Sequence, residues 1–198
     1  MRRGALDFLI RGAQVHDGKR FLPDPVSVGI CEHALLLFGS GEKAHAAEVT
    51  NAPGRILAPA FLDVHNHGDL HLLSRDGINL LSQGAGAVLV GNRGFNTWGP
   101  AARHPVYLDG KAAFEFESAE ACMDALAGRP LPLNAASLAG LAVLLRTDGV
   151  GARLERALDA GCIGLSVGLN YRGQENVGER TLIEACYPLQ MGHVEGEF

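Results

Sequence analysis

His65 and His67 stand two residues apart at the end of an apolar run, Ile56-Leu57-Ala58-Pro59-Ala60-Phe61-Leu62-Asp63-Val64. Neutral imidazole is a good ligand for Zn²⁺. If the run is a strand whose extended geometry persists through Asn66, side chains at i and i+2 point to one side, and both rings face one ion. A catalytic zinc takes about three protein ligands plus a water, so this pair supplies only part of a site. The competing description is a polar strand end carrying two solvated histidines, since short motifs also occur by chance.

The elements that must position these rings follow from short apolar runs bounded by Gly or Pro, which predict strands near residues 56–64, 87–91, 131–138 and 162–167. Helix-like segments fall between and after them, at 72–83, at 119–126 behind a Ser118 cap, at 151–160, and at 179–186 with a stop near Pro188. That is four β/α units. A complete (β/α)₈ barrel takes about 250 residues, so an α/β fold with about half a TIM-type β/α barrel is expected. Active sites in such folds lie at the C-terminal ends of the strands. Asn92 and Phe95 after the second strand, and Tyr171 after the fourth, are therefore candidate substrate contacts or loop packing. The first part of the chain reads differently. Short runs at 7–10, 26–30 and 34–38, punctuated by glycines and prolines, predict hairpins of a small all-β element. The expected division is 1–55 for that element and 56–198 for the partial barrel.

The balance of 17 basic against 22 acidic residues, with a net charge of −5, leaves no basic patch for a nucleic-acid backbone. Met1-Arg2-Arg3 is followed by an apolar stretch that Asp7 interrupts, so a signal peptide is not expected, and no run reaches transmembrane length. Cys31, Cys122, Cys162 and Cys186 lack paired CxxC spacing, which argues for reduced, mostly buried thiols and a cytoplasmic location. Gly164-Leu165-Ser166-Val167-Gly168 satisfies the nucleophile-elbow pattern of α/β-hydrolases. That pattern needs a helix directly after the serine and an acid, then a histidine, downstream; Leu169-Asn170-Tyr171-Arg172-Gly173 reads as a turn, and only His193 follows.

Three ordered stretches carry a more specific signal. The first runs from Asp7 through Gly54-Arg55-Ile56-Leu57-Ala58-Pro59 to Asp63-Val64-His65-Asn66-His67-Gly68-Asp69, the second is 86–95, and the third is 157–171. Together they resemble the amidohydrolase superfamily, and within it the N-acyl-D-amino-acid deacylases, over about residues 7–182 with a weaker stretch at 96–152. The resemblance implies hydrolysis of an N-acyl amino acid by metal-bound water, the metal lowering the water's pKa and polarising the amide while a carboxylate carries the proton. It implies His65 and His67 as zinc ligands, and Asp69 as a carboxylate that orients a ligand or substrate unless it is an exposed loop group. His193-Val194-Glu195-Gly196-Glu197 resembles the family's His-x-Arg-Gly-Glu strand, which makes His193 a further candidate ligand. The small all-β element is, by the same resemblance, an incomplete β-sandwich.

Two departures bear on the chemistry. Where the family carries a zinc-ligating cysteine in Gly-Asn-Cys-Gly-Phe, this chain has Arg93, a fixed cation without a lone pair to offer. The family's general base is an aspartate near the last barrel strand, and no aspartate follows Asp159, so no catalytic base is assigned here. The expectation is a metal-dependent amidohydrolase that binds zinc weakly or not at all and is weak or inactive as this chain. The alternative is a catalytically silent fragment or a half-barrel that contributes to an assembly. Two open sheet edges predict self-association in either case.

Overall fold

The computed structural model describes residues 6–24, 26–39, 42–75, 77–99, 116–145, 149–171 and 173–190. The chain divides after Pro59 into two compact units, residues 1–59 and 60–198.

In the first unit, β1 (Leu6–Val15) organises a mixed sheet. β2 (Val26–Cys31) pairs with it antiparallel, and β3 (Ala34–Phe38) pairs with β2 in the same sense. β4 (Ala46–Asn51) and β5 (Ile56–Leu57) run parallel to opposite ends of β1. Leu6 and Leu9 of β1 pack with Phe38 and Ala44 in the core of the unit. Gly29 makes this possible, because a Cβ there would lie 2.7 Å from Leu6 and 2.9 Å from Phe38.

The strand expected at 56–64 is two strands in two units. Ile56 and Leu57 pair with Gln14 and Val15, whereas β6 (Phe61–Asp63) pairs with Ala85, Ala87 and Val88. Pro59 has no N–H for a ladder and sits at the break.

The second unit is built from parallel strands. β6, β7 (Ala85–Val90) and β8 (Asn134–Ser137) form one sheet. β9 (Ala139–Gly140) follows β8 after Leu138 and pairs in parallel with β10 (Leu165–Ser166). Each strand thus neighbours the next in sequence, and helices fill the connections: α1 (Asp69–Arg75) and α2 (Ile78–Leu81), then α3 (Ala119–Ala127), then α4 (Leu141–Leu144) and α5 (Val150–Asp159). α6 (Glu179–Gln190) follows β10. This is a mixed α/β unit whose strand C-terminal ends share one side, as parallel pairing requires.

The helices also depart from expectation. The single helix predicted over 72–83 is divided into α1 and α2, because Gly77 at φ 66° takes a left-handed conformation that no α-helix contains. α6 runs past Pro188. The proline removes one N–H, leaving the Glu184 carbonyl without its helical donor, and that carbonyl faces α5 where a Cβ on Gly151 would lie only 2.8 Å away. Glycine at this point lets the two helices approach closely. Ser118 caps α3 as expected, accepting the Ala121 N–H at 3.2 Å. The core between helices and strands gathers Trp98, Leu141, Leu144, Val150, Leu154 and Ala185, and a second cluster joins Leu72 to Val88, Val90 and Leu133.

Among the described residues no helix is long and apolar enough to cross a membrane. Cys122 and Cys162 are buried thiols and Cys186 is an exposed one. Burial pushes the Cys122 thiol up to about 11 and the Cys162 thiol up to about 12. Since the thiolate is the reactive form, a disulfide reagent added to native protein at mildly alkaline pH is expected to label Cys186 well before Cys122 or Cys162. Mass spectrometry of the labelled peptides checks this, and labelling of Cys122 or Cys162 at the rate of Cys186 would contradict the packing described.

Candidate functional site

His65 and His67 meet at the C-terminal side of β6, but not by strand alternation. The strand ends at Asp63, and the chain bends at Val64 and His65. Asp63 Oδ1 accepts the His65 N–H at 3.2 Å and Oδ2 accepts the Asn66 side-chain amide at 2.6 Å. Asn66 Oδ1 in turn accepts the Gly68 N–H at 2.6 Å. These side-chain turns fix a bend in which the imidazole centroids are 5.4 Å apart and the planes cross at 77°.

The loop after β7 approaches from the neighbouring strand. Its backbone is unusual: Gly91, Arg93 and Gly94 all have positive φ, at 76°, 57° and 82°. For arginine this left-handed conformation costs roughly 1–2 kcal/mol, and surrounding hydrogen bonds hold it. Gln174, fully buried, donates its amide to the Arg93 carbonyl at 3.0 Å and accepts the Gly168 N–H at 2.9 Å. Ser166 donates to the Gly91 carbonyl and accepts the Gly94 N–H at 2.9 Å. A Cβ on Gly94 would strike the Gln174 amide, so the position admits only glycine.

Ser166 is therefore a buried bracket between β10 and this loop. With its hydroxyl used in both directions, it is not presented as a nucleophile. Asn96, also buried, plays a similar part by donating to the Leu138 carbonyl at 2.8 Å and accepting the Gly140 N–H. Neither Gln174 nor Asn96 was anticipated from the sequence. The signal available was the set of glycines beside strand ends (Gly91, Gly94, Gly140, Gly168), which marks close backbone approaches that polar side chains must satisfy.

The loop delivers the Arg93 side chain onto the histidines. Arg93 Nε donates to His65 Nε2 at 3.2 Å, and Nη1 donates to the Tyr171 hydroxyl. The guanidinium carbon lies 5.6 Å from the centroid of the Tyr171 ring, which meets Phe95 edge-on at 5.5 Å. Of the substrate-contact candidates, Tyr171 thus stands beside the histidines. Asn92 is buried, its amide donating to the carbonyls of Leu89 at 2.8 Å and Asn66 at 3.3 Å, so it ties the β6 and β7 loops together. Asp69 is buried at the start of α1. His193 lies outside the described residues.

These residues do not fit a catalytic zinc. Two rings at this spacing would suit one ion, but the Nε2 lone pair of His65 accepts an N–H, and a permanent positive charge sits against it. Among the described residues no group of three or more His, Cys, Asp or Glu side chains is disposed around one point. The same cation registers on His67. Burial lowers its pKa below the ordinary 6.5, and His65 and then Arg93 push it the same way.

A lowered folded pKa means that the unfolded chain takes up the proton first as pH falls. The His67 contribution to stability is therefore absent above about pH 6.5 and becomes increasingly unfavourable as pH drops from there toward the folded value. Arg93→Gln removes one of the three causes. Imidazole NMR titration is expected to show His67 below 6.5 in the parent and shifted up in the variant, still short of 6.5 because burial is the largest cause. A parent His67 that titrates at or above 6.5, or that ignores the substitution, would contradict this geometry.

No family model matches the chain. It is 29% identical over 202 residues to the D-aminoacylase of Alcaligenes xylosoxydans xylosoxydans, covering 92% of this chain and 42% of that protein. It is 33% identical over 194 residues to the N-acyl-D-glutamate deacylase of the same organism, covering 84% of this chain and 38% of the relative. The chain thus spans about two fifths of the length of the curated relatives it matches. Among solved structures it is similar to N-acyl-D-glutamate deacylase from Bordetella bronchiseptica complexed with zinc and a phosphonate inhibitor. That match has a TM-score of 0.79 and 26% identity, covering 95% of this chain and 44% of the other. With the ordered motifs in sequence and the overall fold in agreement, this chain is a homologue of the D-aminoacylases and related N-acyl-D-amino-acid deacylases of the amidohydrolase family.

Proposed function

We propose that this chain descends from a metal-dependent N-acyl-D-amino-acid deacylase, forms about half of its β/α barrel, and as this chain hydrolyses N-acyl-D-amino acids weakly or not at all. One observation carries the reading: Arg93 Nε donates to His65 Nε2 at 3.2 Å, in the place where the resemblance expects a cysteine thiolate. A thiolate would add negative charge and a ligand. The guanidinium adds positive charge and consumes a lone pair.

A divalent ion entering here must displace Arg93 and accept its repulsion, so zinc binds weakly or not at all. Buried, reduced thiols such as Cys122 and Cys162 suit the cytoplasm.

The test is metal content and turnover measured together. Protein dialysed free of loosely held ions is expected to contain far less than one zinc per chain and to hydrolyse N-acyl-D-amino acids no faster than buffer. Arg93→Cys is expected to raise zinc retention. Near-stoichiometric zinc in the dialysed parent, or metal-dependent turnover that vanishes in His65→Ala/His67→Ala, would overturn the proposal.

The alternative role, a half-barrel working in an assembly, is favoured by where apolar surface is exposed. Phe61 and Leu62 on edge strand β6 are 72% and 64% exposed, and Ile163, Val167 and Leu169 beside edge strand β10 are also uncovered. Unpaired strand edges with apolar side chains drive association. Sedimentation is expected to find the chain dimeric, larger or poorly folded. A compact monomer whose cooperative melt is independent of concentration would count against it.

A further inference from the structure

The same loop points to a ligand of the opposite charge. Resting on the reading that Arg93 has displaced the metal, we propose that Arg93 and Tyr171, with His65 orienting the guanidinium, bind a small carboxylate without any metal ion.

Arg93 is held more firmly than a surface arginine ordinarily is. Its backbone is locked left-handed by Gln174 on its carbonyl and by glycine at the next position, and its side chain is directed by His65 and Tyr171. Guanidinium has five N–H groups, and Arg93 directs donors from Nε and Nη1 to neutral acceptors, a ring nitrogen and a phenol. Its side chain is exposed, and among the described residues no carboxylate pairs with it. The outer side of the fork is the part that receives a planar carboxylate through paired hydrogen bonds. Tyr171, having accepted from Arg93, keeps its own hydroxyl hydrogen to donate to the same anion, and its ring is braced by Phe95.

Charge selects among anions. One fixed cation stands here, with Asp63 and Asp69 at the two ends of the adjoining loop, so a monoanion suits the site better than a phosphate dianion. The site lies at the C-terminal ends of β6, β7 and β10, where parallel α/β folds place ligands. An N-acyl amino acid carries the required group.

Calorimetric titration in excess chelator, at constant low ionic strength because exposed charges are screened, tests this with N-acetyl-D-alanine and its uncharged amide. The acid is expected to bind at least about ten-fold more tightly than the amide, and Arg93→Gln to abolish that preference. Tyr171→Phe, which removes a single hydroxyl, is expected to weaken the acid several-fold and the amide little, and it decides the matter if Arg93→Gln fails to fold. Equal binding of acid and amide, no binding of either, or a preference that survives in both variants would overturn the proposal. Stoichiometric zinc with turnover would instead defeat the descent into inactivity proposed above, so the two failures are distinguishable.

Discussion

The Nε2 lone pair of His65 takes one partner, and in this chain the partner is Arg93 Nε at 3.2 Å. Much else in the second unit follows from how that contact is enforced. Arginine reaches the histidine because its backbone is left-handed, and it stays left-handed because the fully buried Gln174 and the Ser166 hydroxyl satisfy the loop from the β10 side. The network spans β6, β7 and β10, so the loop cannot relax without leaving buried polar groups unpaired, which costs about 1–3 kcal/mol each. The direction of the Arg93 side chain is therefore set by the buried groups that hold its loop.

The scaffold of parallel strands and their loops is what the chain has in common with the deacylases. Parallel strands in sequence order present their C-terminal ends on one side, and loops there collect residues far apart in the chain: His65, Arg93 and Tyr171. Gly91, Gly94 and Gly168 allow such close approaches, and the Gln174 amide and the Ser166 hydroxyl fill the space beside them. What differs from the resemblance is the charge at the centre. A fold can preserve its packing while one side chain reverses the sign of the ligand it suits, because packing depends on volume and hydrogen bonding whereas ion binding depends on charge and lone pairs.

Much of this was legible in the sequence. The period of apolar runs and the Gly and Pro punctuation gave the β/α alternation, Ser118 marked a helix start, and the histidine pair with Arg93 in its motif flagged the departure. Other features were hidden for physical reasons. An apolar run does not state which sheet it joins, so the division of 56–64 between β5 and β6 at Pro59 emerged only from pairing. The expected i, i+2 alternation at His65 and His67 was replaced by turns made by Asp63 and Asn66 side chains, a local competition that strand periodicity cannot express. Gln174 carries no signal of its own in the sequence, because its burial comes from contacts with a loop 81 positions earlier.

The occupancy of His65 Nε2 is the point on which this account turns, and nitrogen NMR reads it directly. Long-range ¹H–¹⁵N correlation of the imidazoles is expected to show His65 protonated at Nδ1, with Nε2 unprotonated and hydrogen-bonded, and its shifts unmoved by one equivalent of zinc. A His65 Nε2 resonance that moves to a metal-bound position on adding that single equivalent would contradict the account.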